Sequence, residues 1–477
     1  MTRGLPCFAL LIACAGDPPR PARPTVPAPA PVATPASAPA PGPYHDPDHK
    51  RGALPSADQR ASELAFIRDR LDRQYAHRAD KLARYRLDEE ALFAEAARKL
   101  AGATTWAHYD AAIYDLLAQF HDSHLSYHPP QTAAPSRGYD PYRLGFETVL
   151  ARDHLLVASV EPDGDAARAG LHAGDEITAV DGQPLASVLA RQVEQRAWSR
   201  PHSAEVGWAE QWTHVLAVKG EPPRARSVVA TTRDGRTLTI AIAPRPAPKL
   251  RPEKVAVDRR GPLAIVTIHS LEGGSKREQQ IDDALASVRD APALVVDLRG
   301  DRGGIDVVGQ RIVADLAEGK ASLGTYRVLV APETLVVRPR WNGIARQADG
   351  FSPPQPLAID AQPAGKGFHG RLAVLVDAGC VSTCEVIAAA LRADLRATLV
   401  GETTGGSSGA PVEVTLPTSH GEIAIPTWNL TAADGKPIEG DGVVPDVEVF
   451  ATPDALAAGT DLPLQTAIDR VQATARP

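Results

Sequence analysis

Leu372-Ala373-Val374-Leu375-Val376-Asp377-Ala378-Gly379-Cys380-Val381-Ser382-Thr383-Cys384-Glu385-Val386-Ile387-Ala388-Ala389-Ala390-Leu391 is the stretch that decides the fold. An unbroken apolar run reads as a buried strand. Small and polar residues follow, and then an alanine-rich amphipathic helix. A serine at such a strand-to-helix turn exposes its hydroxyl. The helix N-terminus behind it supplies free N–H groups and the positive end of the dipole. Both suit a nucleophile that generates an oxyanion. A serine that only caps the helix would show the same spacing.

Around this segment, strands alternate with helices. Residues 263–268, 293–298, 372–376 and 398–400 are short apolar runs, and residues 305–316 and 384–392 have helical periodicity. Such alternation predicts an α/β core with a largely parallel sheet. Upstream, Leu64, Ile67, Leu71 and Tyr75 recur at spacings of three and four, and residues 88–100 and 106–120 repeat the pattern. These predict a small helical region ending at His121-Asp122-Ser123-His124, with Pro129-Pro130 forbidding further helix. Residues 140–246 are β-rich. Asp165-Ala166-Ala167-Arg168-Ala169-Gly170-Leu171, Gly174-Asp175-Glu176-Ile177 and Val180-Asp181-Gly182 together resemble a bacterial PDZ domain. Residues 191–226 read as an insertion in it. In a PDZ domain the loop of Leu144, Gly145 and Phe146 would bind an extended C-terminus by strand addition; the alternative is that the module only gates the active site.

The nucleophile segment resembles that of the carboxyl-terminal processing (tail-specific) serine peptidases. So do Val400-Gly401-Glu402-Thr403-Thr404-Gly405, Glu439-Gly440-Asp441-Gly442-Val443-Val444-Pro445-Asp446 and Asp297-Leu298-Arg299-Gly300-Asp301-Arg302-Gly303-Gly304. The resemblance runs from about residue 58 to residue 451. It implies a crotonase-like layered β/α core, an N-terminal helical region and an inserted PDZ-like domain, with Ser382 as nucleophile. Family members place a lysine base where this chain has Ser407. A hydroxyl cannot act as a base near neutral pH, and a lysine there would need about 4 kcal/mol of environment to lose its proton.

His124 supplies another base, since imidazole titrates near working pH. Ser123-His124 is similar to the serine–histidine pair of tricorn-type core peptidases, whose tetrad adds a glutamate that maps onto Glu439. The resemblance implies that Ser382 attacks, that His124 is base and then acid, and that Ser123 and Glu439 orient the imidazole. His121 and His128 are rivals. The oxyanion would be held by the Thr383 N–H and by Gly303 or Gly304, where glycine permits close backbone approach. Arg299 and Asp301 are assigned no catalytic role.

The formal charge is −7, and no basic patch suggests nucleic acid. Arg3 and a short apolar run ending in Leu11-Ile12-Ala13-Cys14 resemble a bacterial lipobox. Acylated Cys14 would anchor the chain at ~0.8 kcal/mol per buried CH₂. Ala15 favours the outer membrane, with the chain facing the periplasm or the surface. Residues 17–45, rich in Pro and Ala, would be an extended tether on the order of 100 Å long. The expected organisation is a signal at 1–13, tether at 14–55, helical domain at 56–135, PDZ-like domain at 136–250, peptidase core at 251–455 and a tail at 456–477. Cys380 and Cys384 flank the nucleophile and either pair or remain two small buried residues. No metal or organic cofactor is expected, and protein or peptide substrates are. The alternatives to a peptidase are an inactive binding scaffold on the same fold, as retinoid-binding proteins of the eye illustrate, and an adaptor recruited through the PDZ module.

Overall fold

The computed structural model describes residues 51–130, 139–195, 197–218, 223–247 and 254–473. The signal segment, Cys14 and nearly all of the tether lie outside the described residues.

The core is the predicted α/β layer. Strands Leu263–Ile268, Ala293–Asp297, Arg371–Val376, Thr398–Gly401 and Val447–Glu448 run parallel in that spatial order, and Val255–Arg260 pairs antiparallel on the outside. A parallel sheet is covered on both faces. Alternate residues show this. Ala264, Val266, Leu294, Val296, Leu372 and Val374 pack under Gly274–Val288, Asp306–Leu316 and Thr383–Leu395. Ile265, Val295, Ala373 and Leu375 face Ala467, Ile468 and Val471 of the helix Leu462–Gln472. The expected C-terminal tail from residue 456 is therefore corrected: through residue 472 it is the layer that seals the second face. Arg299 ties it down, bonding Asp297 and the helix cap Asp461.

The helices Ala57–Gln74, Arg78–Tyr85, Glu89–Ala101 and Trp106–Ala118 form the helical region. Ser56, Asp88 and Thr105 cap three of them, as short polar side chains at an N-cap do. This region is not a separate core. Its apolar face includes Val412, Leu416, Ile423 and Ile425, and its following strand Ser126–His128 pairs with Glu422–Ile425. The PDZ-like module is a sheet of Phe146–Ala151, His154–Val160, Glu176–Val180, Arg226–Thr231 and Thr237–Ile242, in that order, backed by the helix Leu185–Gln195. The insertion folds as a second helix, Pro201–Ala209, and a strand, His214–Val218.

Candidate active site

Three neighbouring parallel strands end at one edge of the core sheet, where α/β folds place their ligands. Ser382 follows Arg371–Val376, Gly303 and Gly304 follow Ala293–Asp297, and Ser407 follows Thr398–Gly401. His124 arrives from the opposite side, in the turn that leaves the helical region. His124, Gly304, Ser382 and Ser407 line an open pocket of about 480 Å³.

Ser382 is the N-cap of its helix, in a capping box with Glu385. Its backbone is held at φ +59°, ψ −123°, a region that costs a non-glycine residue roughly 1–3 kcal/mol. The surroundings hold it there. The Ser382 N–H donates to Ser407 O at 2.9 Å and to Glu385 Oε2 at 3.0 Å. Cys380 and Cys384 form a disulfide that brackets the turn. The hydroxyl meets His124 Nε2 at 3.2 Å.

The other face of the imidazole departs from the expectation. His124 Nδ1 lies 2.8 Å from the buried Ser407 hydroxyl, and Ser407 in turn bonds the Ser123 hydroxyl. Ser123 thus reaches the ring through Ser407. The position that cannot be a base is the one that contacts Nδ1. Among the described residues Glu439 has no hydrogen bond to His124. Its Oε2 accepts from Ser408 N–H at 2.7 Å, and its Oε1 lies 2.5 Å from Lys81 Nζ.

Glu439 belongs to a buried charge cluster that sequence reasoning missed. Asp122 Oδ2 accepts from Tyr75 at 2.9 Å and contacts His77 Nδ1 at 2.8 Å, while Asp122 Oδ1 accepts from His124 N–H at 2.9 Å. Burial would raise the Asp122 carboxyl, but His77 and Lys81 outweigh it and hold it well below the carboxylate range. Burial would lower His77 and Lys81, yet Asp122 and Glu439 keep both above their ordinary values. Burial and the Asp122 charge push Glu439 up. His77, Asp122 and Glu439 have donor atoms within 4.8 Å of one another, as a metal site would, but the Lys81 ammonium already supplies the cation. Asp122 was visible in Asp122-Ser123-His124. Lys81 and His77, on and beside a helix, carried no distinguishing signal. Burial lowers His124 itself, so its imidazole is neutral at neutral pH, the state a base needs.

The glycines are distinguishable. Gly303 N–H donates to Asp301 Oδ1 at 3.0 Å and is committed. Among the described residues no acceptor meets the Gly304 or Thr383 N–H, and both residues line the pocket. A Cβ on Gly303 would fall 2.7 Å from Val381 O and 2.9 Å from Ser382 Cβ. Asp301 therefore shapes this turn from beneath. Glu385 does the same for the loop before Ser407. It accepts from Gly406 N–H at 2.7 Å and Ser407 N–H at 2.8 Å, and burial pushes its carboxyl up to about 8. The rivals to His124 fall away from Ser382. His121 stacks on Tyr85, and His128 is exposed beside Ser126. Leu144, Gly145 and Phe146 open the edge strand of the PDZ-like sheet, and Leu144 and Phe146 are buried.

Residues 262–449 match peptidase family S41, and residues 136–199 match the PDZ domain. The chain is 27% identical over 351 residues to the chloroplastic C-terminal processing peptidase of Tetradesmus obliquus, covering 72% of this chain and 68% of that one. It is 26% identical over 322 residues to the carboxyl-terminal-processing protease of Picosynechococcus, covering 66% of each. The chain thus spans about two thirds of the length of these curated relatives. Mature CPAF superposes with a TM-score of 0.67 over 87% of this chain and 97% of that one, at 14% identity, which speaks to the fold. Among the described residues no helix is long and apolar enough to cross a membrane.

Proposed function

We propose that this chain, a serine peptidase whose core is of family S41 and which carries a PDZ domain, cleaves polypeptides near their C-termini in the bacterial cell envelope. The observation that carries the reading is the 3.2 Å contact between Ser382 Oγ and His124 Nε2, residues 258 positions apart. In the reaction, His124 takes the Ser382 proton as the hydroxyl attacks the scissile carbonyl, and returns it to the leaving amine. The Thr383 and Gly304 N–H groups receive the oxyanion. Nδ1–H donates a hydrogen bond to Ser407, whose hydroxyl in turn donates one to Ser123. Glu439 acts at one remove, through the Ser408 backbone and the Lys81 charge.

Processing of C-terminal ends is what the names of the relatives say of those proteins; the PDZ domain supports the same substrate class here. Cys14, if acylated, places the enzyme at the outer membrane on its Pro/Ala tether. A fluorophosphonate probe tests the chemistry. Wild type should be labelled at Ser382, and His124→Ala should lose labelling with an unchanged melting temperature. Labelling that survives His124→Ala refutes the base assignment. Release of Cys14-bearing peptides as diacyl or triacyl species on mass spectrometry tests the anchor.

A further inference from the structure

The PDZ-like module packs against the chain's own insertion, with Trp208, Ala209 and Trp212 in its core. Phe146–Ala151 is an edge strand, and the insertion helix Pro201–Ala209 packs against it. That helix also packs on Leu185–Gln195, the second wall of the groove. Leu144 N–H donates to Thr213 O at 2.9 Å, so one of the donors that would hold a peptide terminus is occupied by a carbonyl of the chain itself. Thr148 Oγ1 donates to Ala209 O at 2.8 Å and accepts from Trp212 Nε1 at 2.9 Å. The Trp212 ring meets Phe146 edge-on at 5.5 Å.

The same segment reaches the active site at its other end. Trp198 lines the pocket. Ser199 Oγ accepts from Ser123 N–H at 3.4 Å. Arg200 Nη1 donates to Thr403 O at 2.9 Å and also bonds Thr404 O, and Ser203 Oγ bonds Gly405 O at 3.4 Å. One short stretch thus packs on the PDZ-like sheet and supports the loop that carries Ser407.

We propose that residues 198–213 are an internal ligand of the PDZ domain, exchanged for an extended substrate tail that ends in an aromatic or large apolar residue, and that the exchange changes how Ser407 and Ser123 are held. The chemistry of the present occupant defines the tail. The groove wall is Leu144, Phe146, Leu150, Leu185 and Leu189, and an indole and a carbonyl now satisfy it. The Arg245 guanidinium, paired with Glu161, lies against Gly145, where a terminal carboxylate would arrive. A tethered occupant competes at a high effective concentration, so an external tail must supply better contacts to displace it. The coupling to Ser407 rests on the peptidase reading; the exchange in the groove does not.

The test locks the helix in place. In the full chain, Thr148→Cys with Ala209→Cys, oxidised by diamide, ties Phe146–Ala151 to the insertion helix. The probe is a fluorescein-labelled decapeptide ending in Leu-Trp with a free carboxylate, followed by anisotropy. Wild type in the same reductant controls for Cys380–Cys384. The oxidised variant should bind at least tenfold more weakly than its reduced form, and Trp212→Ala should bind at least tenfold more tightly than wild type. Equal binding by locked and unlocked chains, or no binding by any form, overturns the exchange. Peptide should change the rate of fluorophosphonate labelling in the reduced form and not in the locked one; a rate indifferent to peptide in both overturns the coupling. Absence of labelling in every form, with exchange intact, would instead refute the peptidase reading.

Discussion

Ser407→Ala isolates the feature that sets this site apart from an acid-backed triad. For Nε2 to accept the Ser382 proton, Nδ1 must carry the other one, and Ser407 Oγ at 2.8 Å is its acceptor. As the nucleophile attacks, the ring becomes an imidazolium and this bond becomes charge-assisted. A hydrogen bond to a charged group contributes about 1.5–3 kcal/mol. Ser407 is fully buried, so bulk water does not replace the lost hydroxyl. At about 1.4 kcal/mol per tenfold, the variant should lose about 10- to 150-fold in kcat/KM. The charge exists only in the transition state, so the loss should fall on kcat and leave KM near wild type. Progress curves on a fluorogenic peptide measure both constants, and Ser407→Thr, which keeps the hydroxyl, should recover most of the rate. A variant within twofold of wild type, or one impaired only in KM, would show that Ser407 does not hold the charged ring.

Gly303→Ala should reduce kcat by about 10²–10³, because its Cβ would meet Val381 O at 2.7 Å in a turn with φ +76° and displace the neighbouring Gly304 N–H, one proposed oxyanion donor; substrate affinity measured on a Ser382→Ala background should hold. Reduction of Cys380–Cys384 should cost about 2 kcal/mol, the loop-closure value for so short a ring, read as a lower melting temperature and a slower fluorophosphonate reaction; alkylation of both cysteines in the unfolded chain without reductant would disprove the bond. Burial holds His124 below its ordinary 6.5, so the base stays unprotonated further into acid. The acid limb of kcat/KM should therefore reach half-maximum below pH 6.5, and a limb centred above 7 would contradict the assignment. Ile468→Ala should destabilise by about 2–4 kcal/mol in urea titration, because it opens a hole under Val295 and Leu375.

The core was legible in the sequence because its signals are local. Apolar runs such as 293–298 and 372–376 and the turn between Val376 and Thr383 carry their structure in a few adjacent residues. The helix Leu462–Gln472 was missed for a related reason. It is amphipathic but polar overall, and only Ala467, Ile468 and Val471 show the buried stripe. The contacts of the site are long-range. Ser407 was set aside on its chemistry, since a hydroxyl is no base, yet its place in space makes it the partner of Nδ1. Lys81 lies 358 positions from Glu439, and nothing in either neighbourhood announces the pair. The insertion was noticed as extra length, but its packing on the PDZ-like sheet depends on Trp212 meeting Phe146, which composition alone does not disclose.

The lysine that family resemblance expects and the hydroxyl found at position 407 are alternative answers to one constraint. The side chain at 407 points to His124 Nδ1 at hydrogen-bond distance. A lysine there would bring its stem into a space sized for one hydroxyl, beside a ring that must accept a proton. An ammonium so close would lower the imidazole further and oppose the imidazolium in the transition state. A neutral lysine would need burial without His124. The site can therefore be built around a lysine or around an imidazole, and an imidazole requires a small, uncharged acceptor at 407. With the acids withdrawn to Asp122 and Glu439, one bonded to the His124 backbone N–H and the other to Ser408 N–H, negative charge steadies the frame of the site while the ring nitrogens meet the Ser382 and Ser407 hydroxyls. In the proposed mechanism His124 takes the proton from Ser382 as a neutral imidazole, the form that its burial favours.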